Sequence, residues 1–207
     1  MSETYDLVVK GGIVWTTGGP AAVNVAVRDG RIAAIGDIDS DAAGQIVDAT
    51  GLTVLPGVVD TQVHFREPGA EHKEDLESGS RGAVLGGVTA VFEMPNTNPL
   101  TTNAEALADK LARARGRMHC DHAFWVGGTH DNADLIPELE QLPGAAGIKV
   151  FMGSSTGDLL VEDDEGLRKI LEKTRRRAAF HSEDEFRLRE RQDKRVAGDP
   201  SSHPVWR

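Results

Sequence analysis

From Val58 onward, short apolar runs alternate with stretches of helical spacing, and this alternation constrains the fold more than any other feature of the sequence. Strands are expected at Val58-Val59-Asp60 (ending near His64), Thr89–Met94, His122–Val126, Gly147–Met152 and Ala178–His181. Helices are expected around Glu74–Leu85, Asn103–Arg115, Asp131–Leu142 (despite Pro137), Glu162–Arg176 and Glu183–Val196, with a break at 198–202. Repeated β/α units imply a parallel sheet with right-handed crossovers. About five such units are present, against the eight that close a TIM barrel. A doubly wound open sheet is the alternative. The polar residues decide between them: His64, Asn96, Gly127-Gly128, Lys149 and His181 all fall at or just past strand C-termini, where barrels build their sites.

Residues 1–56 follow a different rhythm. Asp6–Val9, Ile13–Trp15 and Val23–Val27 are short apolar or alternating runs, punctuated by Gly11-Gly12 and Gly18-Gly19-Pro20. Asp29-Gly30 predicts a tight hairpin into Arg31–Gly36. The segments 46–49 and 52–57 continue the pattern. The expected architecture is α/β: an incomplete TIM-type (β/α) barrel over 57–207, preceded by part of a small β-sandwich module over 1–56.

Composition excludes several functions. Lys and Arg number 23 against 33 Asp and Glu, a net charge of −10, which disfavours binding to nucleic-acid phosphates. No apolar run is long enough to span a membrane. Met1–Asp6 is acidic and lacks the basic start of a signal peptide. The single cysteine, Cys120, forbids an internal disulfide and suits a reducing, cytoplasmic setting.

Four segments carry candidate chemistry. Asp60-Thr61-Gln62-Val63-His64-Phe65-Arg66-Glu67-Pro68-Gly69 follows Pro56-Gly57, which marks the entry to the barrel; strand alternation puts Asp60, Gln62, His64 and Arg66 on one face. Glu93-Met94-Pro95-Asn96-Thr97-Asn98-Pro99 reads as a rigid turn that can aim an amide. Lys149 stands alone in the apolar run Gly147–Met152, where a charge is costly without a partner or a change of state. His181 precedes Ser182-Glu183-Asp184-Glu185, a set suited to a helix N-terminus. By contrast, His72, His119, His122 and His130 read as loop or surface residues, and Arg175–Arg177 as a solvated helix end.

The first segment resembles the amidohydrolase superfamily, whose first barrel strand ends in a His-x-His metal pair, and the Arg-Glu-Pro-Gly extension is similar to dihydroorotase and allantoinase. The sequence departs from that pattern at Gln62, where the family has the first histidine. Glu93–Pro99 looks like the dihydroorotase motif after the second strand. The resemblance implies a metal-dependent cyclic amidohydrolase, most similar to dihydroorotase, that interconverts dihydroorotate and N-carbamoyl-aspartate. It assigns His64, Lys149 and His181 to one or two divalent ions such as zinc, with Gln62 in a ligand position and Lys149 open to carboxylation by carbon dioxide. It assigns Arg66 and Asn96 to the substrate carboxylate. The family's catalytic aspartate and a further histidine are expected beyond residue 207, so no catalytic residue lies within the chain. A homo-oligomer and an aspartate carbamoyltransferase partner are further implications. An allantoinase- or hydantoinase-type amidase, or an inactive structural homologue, is the alternative that Gln62 keeps open.

Overall fold

The computed structural model describes residues 5–39, 43–155 and 157–207; the N-terminal stretch read above lies partly outside them. The chain divides into two compact units, 1–57 and 58–207.

The first unit is all β. Strands β1 (Tyr5–Lys10), β4 (Asn24–Arg28), β5 (Arg31–Gly36) and β6 (Ala43–Asp48) form one sheet in the order β5-β4-β1-β6. Strands β2 (Ile13–Thr16), β3 (Gly19–Ala21) and β7 (Thr53–Val54) form another, ordered β3-β2-β7. The β4–β5 hairpin turns at Asp29 and Gly30, with φ of 52° and 69°. Positive φ at both central residues is the twist that a two-residue hairpin requires, and Asp-Gly supplies it cheaply.

The second unit is an incomplete (β/α) barrel. Its five strands are β8 (Val58–Val63), β9 (Val88–Glu93), β10 (Asp121–Gly127), β11 (Ala145–Phe151) and β12 (Ala178–His181). They pair in parallel, in chain order. Helices α1 (Leu76–Leu85), α2 (Ala104–Ala114) and α4 (Asp164–Lys173) fill the connections. Each starts on a capping side chain: Asp75 accepts from Ser78 N, Asn103 from Ala106 N and Asp163 from Gly166 N. Helix α1 is rich in small residues because it lies close to the sheet. A Cβ at Gly79 would come within 2.4 Å of the Phe65 ring.

Two connections differ from expectation. The span 131–142 holds only a 3-10 turn at 133–135 and the four-residue α3 (Ile136–Leu139). Asn132 spends its side chain on Thr102 O and Gly127 O, and Pro137 sits in the first turn of α3, so no helix extends through the segment. Past Glu183, α5 (Glu185–Glu190) gives way to a 3-10 turn at 192–194. The expected break contains another at 200–202, followed by α6 (His203–Trp206).

The sheet buries apolar side chains on both faces. Phe65, Leu76, Val91, Leu107, Phe124, Val126 and Ile148 pack in the layer beneath the helices. On the inward face a smaller cluster gathers Met94, Trp125 and Ala146 with Phe92, Ala123 and Ala179. Among the described residues no helix is long and apolar enough to cross a membrane.

Candidate active site

Because Val63 and Phe65 pack into the helix-side layer, alternation puts Gln62 and His64 on the inward face. His64 Nδ1 lies 2.9 Å from Asn96 Oδ1. An amide oxygen can only accept, so Nδ1 carries the proton and Nε2 keeps its lone pair. Burial first, then the Arg66 charge, lower the His64 pKa; the Asn96 bond opposes them, and the charges of Lys149 and Lys110 add to the lowering. His64 is therefore neutral near pH 7. Gln62 is exposed, and its backbone N–H donates to Asp60 Oδ1 at 2.9 Å.

Arg66 does not continue the alternation. The strand stops at Val63, and Arg66 adopts a left-handed backbone with φ of 65°. Such a conformation is costly for a non-glycine residue and tends to occur where function needs it. The residue is half-buried, and its guanidinium has no hydrogen-bond or ion partner among the described residues.

Two loops lock together beside His64. Asn98 N donates to Pro68 O at 2.9 Å and Met94 N to Val63 O at 3.0 Å. Gly69, at φ 101°, lies so close that a Cβ would sit 2.5 Å from Asn98. Beneath them Glu67 accepts a two-pronged contact from Arg117 at 2.7 and 3.0 Å and the Leu76 N–H at 3.0 Å. The turn bearing Asn96 and the loop bearing Arg66 are thus one platform.

Lys149 and His181 lie on adjacent strands. The Lys149 ammonium stands 4.9 Å from the Phe151 ring centroid, and that ring stacks on His181 at 5.9 Å. Lys149 is 2% exposed and has no carboxylate partner among the described residues. Burial pushes its pKa down, toward the neutral amine. His181 Nε2 contacts Glu183, whose carboxylate also receives both prongs of Arg207 at 2.6 Å. A cavity of about 470 Å³ opens beside Glu183 and is lined by Met152, Glu162, Asp163 and Asp184. His130, read from the sequence as bland, joins Glu162 and Asp163 with donor atoms within 4.8 Å of one another. Asp163 is already committed to capping α4.

One pair escaped the sequence reading. Glu93 and Lys110 are each 1% exposed, with Lys110 Nζ 2.8 Å from Glu93 Oε2 and 3.0 Å from Met94 O. Burial pushes the Glu93 pKa up and the Lys110 pKa down, and each partner's charge opposes that shift. A signal was present. Lys110 falls three residues after Leu107 and four before Ala114, inside the apolar stripe of its helix, and Glu93 alternates with Val91.

A family model described as "Dihydro-orotase-like" matches residues 51–128. An allantoinase of Rubrobacter xylanophilus is 41% identical over 164 residues, covering 78% of this chain and 36% of that protein. An allantoinase of Escherichia coli is 38% identical over 162 residues, 78% of this chain and 35% of its own length. The solved L-hydantoinase (dihydropyrimidinase) of Arthrobacter aurescens superposes with a TM-score of 0.88 at 28% identity, over 99% of this chain and 47% of that one. The chain thus spans only about a third to a half of these relatives. The matches support the amidohydrolase superfamily as its class. Within that class they support the cyclic amidohydrolases, with no preference for dihydroorotase over allantoinase or hydantoinase.

Proposed function

We propose that this chain carries the metal-holding part of a cyclic amidase of the allantoinase and hydantoinase kind, which opens a ring by hydrolysing its amide C–N bond. The carrying observation is Lys149, a buried lysine with no carboxylate partner among the described residues, set beside His181 on the inward face. The donor set fits a divalent ion: neutral His64 with Nε2 free, His181, and a lysine pushed toward its neutral form. A neutral Lys149 amine can add to carbon dioxide, forming an N–C bond and releasing a proton, and the resulting carbamate supplies the anionic oxygens that the set lacks. Gln62 offers an amide oxygen where a second imidazole is expected, a weaker match for zinc. When bound, the ion supplies Lewis-acid polarisation of the amide carbonyl and acidifies water. Asn96 holds His64 in the tautomer that leaves Nε2 for the ion. The single cysteine fits a reducing, cytoplasmic setting.

A dihydroorotase is the second reading, favoured by the unpaired Arg66 guanidinium on the platform that carries Asn96. A guanidinium fork and an amide suit a substrate carboxylate. The test has two parts. Protein incubated with zinc and 13C-bicarbonate is expected to show a carbamate carbon signal that Lys149→Ala abolishes; absence of both signal and retained metal overturns the amidase reading. Binding of allantoin, hydantoin and dihydroorotate is then compared by calorimetry for the unmodified protein and Arg66→Lys. Selective loss on dihydroorotate supports the second reading, and equal loss on all three removes it.

A further inference from the structure

We propose that Lys110 and Glu93 are a positioning pair that sets the hydrogen bond between Asn96 and His64. The proposal deepens the reading of His64 and Asn96 given above and takes its functional meaning from it.

The Met94 N–H donates to Val63 O at 3.0 Å, and the Met94 carbonyl accepts from Lys110 Nζ at 3.0 Å. One peptide position is therefore held at both ends. Val63 directly precedes His64, and Met94 lies two residues before Asn96. The two partners of the Asn96–His64 bond hang from neighbouring points of this clamp. Loss of the Lys110 contact frees the carbonyl side, and the Asn96 turn can then shift against His64.

Lys110 is itself held from several sides. Glu93 Oε2 lies at 2.8 Å, the Met94 carbonyl at 3.0 Å, and the Phe124 ring centroid at 5.4 Å. Beyond the Lys110 ion contact, the Glu93 carboxylate accepts no hydrogen bond among the described residues. Its one evident task is to keep the ammonium in place.

Stability alone is a poor reason for such a pair. Two charges that are each 1% exposed carry a desolvation penalty that often equals or exceeds their attraction. Apolar side chains of similar volume fill such a space without it. They cannot donate to the Met94 carbonyl. The donor is the feature that only the polar pair provides, and it acts on the turn that carries Asn96.

The experiment reads the His64 ring directly, by 15N NMR of histidine-labelled protein at about pH 8, above the ordinary histidine range. The unmodified protein is expected to hold His64 as the Nδ1–H tautomer. Lys110→Met with Glu93→Leu removes the donor without stranding a charge. It is expected to melt at or above the unmodified protein, to mix the His64 tautomers and to weaken zinc binding about tenfold. Should that variant not fold, Lys110→Met with Glu93→Gln also removes the donor and is expected to mix the tautomers in the same way. Lys110→Gln with Glu93→Gln restores an amide donor and is expected to recover the Nδ1–H form. A folded variant lacking the donor that keeps both the tautomer and zinc affinity overturns the proposal. Failure of the unmodified protein to retain zinc or to form the Lys149 carbamate, with the tautomer still moved, removes the functional reading and leaves the positioning role standing.

Discussion

The helix-side layer and the inward face of the five-stranded sheet each bury a lysine. Lys110, 1% exposed, has a carboxylate at 2.8 Å and a backbone carbonyl at 3.0 Å. Lys149, 2% exposed, has an aromatic ring at 4.9 Å and no carboxylate among the described residues. Burial lowers the pKa of both. On the helix side the charge is neutralised in place, as suits a group whose task is to stay put. On the inward face it is left uncompensated, as suits a group whose task is to react or to meet an ion. A buried lysine alone says little about function; its partner, or the want of one, distinguishes the two cases.

The comparison breaks most readily at Lys110. Lys110→Met with Glu93 retained strands a carboxylate, and urea denaturation is expected to show a loss of about 3–5 kcal/mol. If the single variant is as stable as the one in which both residues are apolar, the two charges are not coupled. Lys149→Met strands nothing, so its stability is expected within about 1 kcal/mol of the unmodified protein. Retained divalent metal, measured by elemental analysis after mild chelation, should fall sharply. A large destabilisation at Lys149 would mean that its ammonium has a structural partner after all.

A smaller effect separates two buried carboxylates of the helix side. Burial raises the Glu67 pKa, but the Arg117 contact and the Leu76 N–H outweigh it, and the net shift is downward. Glu67 therefore contributes stability that is present above the unfolded carboxyl pKa of about 4.3 and is lost as pH falls through its lower folded value. Glu67→Gln should give a shallower fall of the urea midpoint over that acid window. Glu93 shifts the other way and cannot contribute to that slope with the same sign. An unchanged slope would show that Arg117 does not hold the Glu67 carboxylate in solution.

Much of this arrangement was legible in the sequence because it is periodic. The alternation after Val58 predicted all five strands, and Asp29-Gly30 predicted its hairpin, since local steric rules govern both. A period of two was read along Asp60, Gln62, His64 and Arg66. That rule failed at Arg66, where the strand had ended and the backbone turned left-handed. The helix expected over 131–142 failed for a related reason. Asn132 reaches Thr102, thirty residues away, and Glu140 accepts the Arg175 and Arg176 N–H groups, contacts that no local pattern encodes. The Lys110–Glu93 pair was visible only as two charges inside apolar stripes, which a reading tuned to motifs passes over.

The order of the five-stranded sheet bears on how the chain is made. Each strand from β9 onward pairs with the strand immediately before it in the sequence. During synthesis, then, every new strand leaves the ribosome to find its neighbour already built, and the sheet can grow one unit at a time. The N-terminal unit shares this only in its β2–β3 and β4–β5 hairpins. There β1 must wait for β6 and β2 for β7, so those pairings close only after more than thirty residues have emerged between the strands.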